Sequence, residues 1–192
     1  SQTISQNRRQ AAKTLEEELK SLVGKMGMPD AVFRIDLNPS PEFLLNGTDV
    51  ISFQFSPNKG SQFLPIKGIA SGGELSRLTL ATKSLVASAI PLPTLIFDEI
   101  DTGISGDTAL KMGGILHDLA DQHQVVSITH SPQVAVKADN HYFVFKKIKG
   151  DKTVTSVRLL TPEERIRAIA TMLSGSPPSE SALKNAKELL EF

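Results

Sequence analysis

The sequence has no cysteine, which excludes disulfides and thiolate metal sites and suits a reducing, cytosolic compartment. It has no net charge either, with 21 basic and 21 acidic residues. No overall field therefore draws it to nucleic acid, although a local basic patch still can. No apolar run approaches the ~20 residues needed to span a bilayer, so no membrane partner is expected. The opening stretch, SQTISQNRRQ, is polar rather than signal-like. The four histidines at 117, 123, 130 and 141 form no ligand-like cluster. Internal repeats and low-complexity tracts are lacking. The phosphate-wrapping pattern GxxxxGKS/T is also missing, because Lys25, Lys59 and Lys67 each stand in the wrong context. As given, the chain cannot be a complete P-loop enzyme.

What is present is 192 residues, 40% of them hydrophobic, enough for one sizeable core: one domain or a large piece of one. Residues 2–23 contain no proline or internal glycine and read as one long helix. Ala12, Leu15, Leu19 and Leu22 follow a heptad seam, which turns polar at the two preceding positions of that register, Ser5 and Arg8. This pattern suits the last turns of a coiled coil entering from upstream as well as it suits an amphipathic surface helix; a start in mid-helix suggests an excised fragment. The segments AVFRIDL and DVISFQFS alternate as strands, with NPSPEFLLNG as their connector. TLIFDE (94–99) and QVVSIT (124–129) read as buried parallel strands joined by a helix over 105–120. The end of the chain predicts a hairpin through KGDK, a helix opened by Thr161, Pro162 and Glu164, and a terminal helix from Ser179.

The chemistry concentrates in a few places. GIASGGELSRLTL (68–80) sets two glycines where a helix begins. Ser71 and Glu74 have the capping-box spacing, so Gly72 and Gly73 fall at the first helical positions. Amide groups there have no intrahelical acceptor and, with the helix dipole, form an anion site that the missing side chains leave open. Asp98 and Glu99 follow directly on an apolar strand, at the carboxyl end where ligands bind in parallel sheets. One such acid can hold Mg²⁺ through water while the other accepts a proton from an attacking water; the bland alternative is that they solubilise a strand end. His130 closes the next strand, where it could meet the same phosphate, although a lone strand-end histidine is more often packed or solvated. Asp101 adds a further acid, and Ser105 is a candidate cap.

In this order SGGE, TLIFDE, DTGISG and THS resemble the signature motif, Walker B strand, D-loop and switch histidine of the ABC-type ATPases. The flanks FSPNKG, ITHSPQVAVKADNHYFVFKK and AIATMLSG are similar to the SMC-like branch that serves bacterial DNA double-strand-break repair and recombination. The resemblance implies an α/β, P-loop NTPase-like head, of which this chain is the C-terminal portion: a mainly parallel core sheet flanked by helices, a C-terminal β-hairpin and two helices. Residues 1–23 would be the end of a coiled-coil arm or its connecting helix, and residues 24–192 the head. It implies ATP and Mg²⁺ as cofactors, a location in the cytoplasm with the nucleoid, and three partners: the N-terminal half of the same protein, a second head in an ATP-dependent homodimer, and DNA. By the same resemblance Ser71, Gly72, Gly73 and Glu74 bind nucleotide held by the opposite head. Asp98 supports the metal, Glu99 polarises the attacking water, Asp101 couples the two sites and His130 contacts the γ-phosphate. The segment by itself is expected to be inactive. A non-hydrolysing structural or DNA-tethering module is the alternative from another class, and retention of Glu99 speaks against it. Lys146, Lys147, Lys149 and Lys152 cluster at the hairpin, where they could meet DNA phosphates or merely keep an edge soluble.

Overall fold

The computed structural model describes residues 2–68, 72–90 and 92–191. The chain forms two compact units, one comprising the residues up to Pro93 with Thr102–Ile104, the other Thr94–Asp101 with the residues from Ser105 onward. The architecture is mixed α/β, as the sequence predicts.

In the first unit, helix α1 (Gln2–Lys25) packs on a hairpin of β1 (Val32–Leu44) and β2 (Gly47–Ser56), to which β3 (Leu64–Pro65) adds a short third strand. Helix α1 buries Ser5, Ala12, Leu19 and Val23. Its polar seam positions have a local purpose: Ser5 donates to Asp49 at 2.8 Å and Arg8 pairs with the same carboxylate at 2.9 Å. Those contacts, the Ser5 hydroxyl foremost and then Arg8, hold the Asp49 carboxyl below the ordinary range. The structure departs from the expected connector at 38–47, because β1 runs on to Leu44 and pairs with β2 from Val32↔Ser56 to Pro39↔Asp49, then again at Leu44↔Gly47. The register breaks between Pro39 and Leu44, which accommodates Pro39 and Pro41 without demanding ladder donors from them. A single 3-10 turn, Ile66–Gly68, leads towards helix α2 (Gly72–Ala89).

The second unit begins with β4 (Thr94–Asp98), crosses through α3 (Gly106–Ala120) and returns as β5 (Gln124–Ile128), parallel to β4 from Thr94↔Gln124 to Asp98↔Ile128. This pair is the parallel component among the described residues; the other two sheets are antiparallel. Ser105 holds the N-cap position of α3 without a side-chain bond. A short helix α4 (Pro132–Ala135) follows, then the hairpin β6 (Tyr142–Lys149) and β7 (Lys152–Leu159), α5 (Pro162–Ser174) and α6 (Glu180–Glu191). The capping box at Thr161 is complete: its side chain accepts from the Glu164 amide, while the Glu164 carboxylate accepts from the Thr161 amide at 3.0 Å. Val136, Ile169, Ala170, Ala182 and Ala186 form a core between α4, α5 and α6.

Strand β4 is apolar on both faces but buries only one. Leu95 and Phe97 are buried, whereas Ile96 is 61% exposed. Across the pair, Val126 and Ile128 are also exposed. A sequence built for cover on two sides has it on one within the described residues.

Candidate nucleotide-facing site

Parallel pairing brings the two candidate strand ends together. Asp98 lies opposite Ile128, and the next residue, Glu99, donates its amide to the Ile128 carbonyl at 2.9 Å. Asp98, Glu99 and His130 therefore leave one edge of one sheet, and all three are exposed. Glu99 has φ +47°, the sole non-glycine with a positive φ among the described residues. A left-handed backbone at a side chain of this size costs on the order of 1–3 kcal/mol and persists where its surroundings impose it, as active sites often do. Nothing in the sequence pattern marks Glu99 as strained.

Asp101 is placed differently from its neighbours. It is 2% exposed, and its Oδ2 accepts from the Thr129 hydroxyl and from the Ser131 amide, the latter at 3.2 Å. Among the described residues Oδ1 is buried without a hydrogen-bond partner. The two residues that flank His130 are thus both attached to Asp101, a connection that motif reading misses.

Among the described residues no three His, Asp or Glu side chains converge as a metal cage. Asp98, exposed at the strand end, suits an ion such as Mg²⁺ that takes one or two carboxylates and completes its shell with phosphate oxygens and water.

In the other unit, Ser71 and its cap on Glu74 lie outside the described residues, and α2 opens at Gly72. The two glycines differ. A Cβ on Gly72 would meet nothing within 4 Å, whereas one on Gly73 would stand 3.3 Å from the Gly103 carbonyl oxygen and 3.5 Å from the Arg77 guanidinium. Gly72 leaves open space at the helix start, while the room at Gly73 is filled by the chain's own backbone. Gly73 is buried and Glu74 half-buried. Arg77, which sequence reasoning passed over, donates to the Met28 sulfur at 2.9 Å; burial lowers its pKa and the nearby Glu74 charge opposes that shift.

No family model matches the chain. Its sequence is 39% identical over 190 residues to the DNA repair protein RecN of Haemophilus influenzae, covering 98% of this chain and 34% of that protein. It is 39% identical to RecN of Deinococcus radiodurans and 40% identical to RecN of Vibrio cholerae, with similar coverage. Among solved structures it superposes on the Smc head domain with coiled coil and joint from Pyrococcus yayanosii, with a TM-score of 0.62 at 20% identity, covering 96% of this chain and 29% of that one. A chain from a study of ATP-driven dimerization and DNA-stimulated activation of SMC ATPases gives 0.59 at 18% identity, covering 86% of this chain and 94% of that one. In fold the chain is of the SMC head class. Within that class it belongs to the RecN family, and it spans about a third of the length of the RecN proteins it matches.

Proposed function

We propose that the chain is the C-terminal part of an ATP-hydrolysing head in a DNA double-strand-break repair protein, and that it contributes to two composite sites at once. The carrying observation is the alignment of β4 and β5, which sets Asp98, Glu99 and His130 on one sheet edge. In its own site Asp98 would support Mg²⁺, Glu99 would accept the proton of the attacking water and His130 would address the γ-phosphate. The P-loop lysine comes from the N-terminal half of the same protein. In the opposite site, the start of α2 at Gly72 offers amides and positive dipole to a phosphate held by a second head; Ser71, Gly73 and Glu74 complete that segment. Asp101 links the two sites, α1 continues into a coiled-coil arm, and the assembly works on DNA in the cytoplasm at the nucleoid. Among the described residues no helix is long and apolar enough to cross a membrane.

The test is Glu99→Gln in the full-length protein. It keeps the size of the side chain and removes the proton acceptor, so ATP binding should persist, hydrolysis should fall by about a hundredfold or more and an ATP-bound head dimer should accumulate on size-exclusion chromatography. Turnover at the parental rate would remove Glu99 from the base role. A parental protein that binds ATP without hydrolysing it would instead favour the tethering module.

A further inference from the structure

Among the described residues, the polar contacts beside His130 are made by its neighbours Thr129 and Ser131 rather than by the imidazole. Thr129 donates its hydroxyl to Asp101 Oδ2 and, with the same oxygen, accepts from the Ser131 amide at 2.9 Å. The Ser131 amide also reaches Asp101 Oδ2 at 3.2 Å, and the Ser131 hydroxyl donates to Gln133 Oε1 at 3.0 Å. The three groups close a ring: carboxylate, hydroxyl, amide. It is buried at Asp101 and Ser131, where charge-assisted hydrogen bonds are stronger than in water. His130, by contrast, is exposed.

The helix that continues from this ring is fixed independently. A Cβ on Gly113 of α3 would stand 3.1 Å from the Gln133 carbonyl oxygen and 3.3 Å from Val134 Cα, so α3 and α4 touch backbone to backbone there. At the other end of α4, Arg165 of α5 donates to the carbonyls of Ala135 at 3.3 Å and Val136 at 2.9 Å. The backbone on both sides of His130 is thus held, by Asp101 at Thr129 and Ser131 and by α3 and Arg165 along α4. A free imidazole on a fixed backbone is what a residue requires if it must meet a phosphate at a set distance without reorganising.

We propose that Thr129 is a positioning residue for His130, acting through Asp101 and the Ser131 amide. This rests on the reading of His130 as the γ-phosphate contact. It also gives Asp101 a task inside its own head, since its one partnered oxygen is spent on the segment that carries His130.

The test uses the full-length protein and three variants. Thr129→Val keeps the shape and deletes the hydroxyl, so kcat should fall by about tenfold to a hundredfold, the scale of a small misplacement at a reacting centre, with KM for ATP unchanged. Thr129→Ser restores the hydroxyl and should restore kcat. Hydrogen–deuterium exchange over residues 127–135 reports the ring without any turnover: protection should drop in the valine variant and hold in the serine variant. Parental protection in Thr129→Val, or lost protection with parental kcat, overturns the proposal, as does a serine variant as impaired as the valine one. If the valine variant does not fold, Asp101→Asn carries the test, because it exchanges a charged acceptor for a neutral one of the same shape and should lose part of the same protection and rate; parental values there overturn the proposal. If the parental protein does not hydrolyse ATP, the functional reading falls by itself. The ¹³C signal of the labelled His130 imidazole then decides the ring, which stands if the signal shifts in Thr129→Val and falls if it does not.

Discussion

At the scale of single residues, chemistry and conformation are separable. The identities of Asp98, Glu99 and His130 and their places at strand ends can be read from apolar runs that stop at a charged or polar group. The left-handed backbone of Glu99 cannot, because it depends on the bond from its amide to Ile128 on another strand. The glycines make the same point. Adjacent in sequence, Gly72 and Gly73 look interchangeable, and only contact with Gly103 distinguishes them. Alanine at Gly72 enters open space and gains helix propensity, worth up to about 1 kcal/mol. Alanine at Gly73 gains the same propensity and must displace the Gly103 carbonyl. Urea unfolding should therefore rank Gly72→Ala above Gly73→Ala by roughly 1 kcal/mol. The reverse order would mean that the Gly103 loop yields freely and that Gly73 is as open as its neighbour.

Among the elements, those with strong local signals formed where expected: α1, the β4–α3–β5 unit, the β6–β7 hairpin and the Thr161 cap. The miss at 38–47 has a clear cause. Asn38, Pro39, Ser40 and Pro41 carry turn chemistry, yet a strand can run through them where its register breaks and no ladder donor is required. Likewise the polar break in the α1 seam reflects Asp49 on β2, a partner that no helical periodicity announces. One element also carries a pH dependence. His141, at the entrance to β6, is half-buried; burial first and the Arg165 charge second push its pKa below the ordinary 6.5. Folding therefore favours neutral imidazole, and the unfolded chain binds the proton more readily. Stability from this group is present above the unfolded value and is lost as pH falls through it. Between pH 7.5 and 5.5 the melting temperature should decline, and His141→Gln should flatten that decline. An unchanged slope in the variant would show that His141 is not its source.

For the whole molecule, the apolar faces left open are as informative as the core. On β6–β7 the register pairs Tyr142 with Leu159 and Val144 with Val157, and all four are at least half exposed. Ile96, Val126 and Ile128 are likewise exposed on β4–β5. Contiguous apolar strand faces of this kind belong under a partner, and on the function proposed above that partner would be the N-terminal half of the same protein. That half would bring the P-loop to the edge where Asp98, Glu99 and His130 wait. The start of α2 would then serve the nucleotide of another head, and this division of labour can be tested by mixing. Gly72→Asp places bulk and a like charge at the open helix start while leaving the P-loop untouched, so the variant should bind ATP almost normally and fail to pair or hydrolyse. A second variant lacking the P-loop lysine should fail to bind. In a mixed dimer one composite site carries both lesions and the other carries neither, so about half the turnover of an intact dimer should return if the sites fire independently. Co-purification through two different tags isolates the mixed species, and a dimer bearing one intact and one Glu99→Gln site shows whether a single site can fire. If that control hydrolyses ATP and the isolated mixed dimer does not, the helix at Gly72 does not act across the interface.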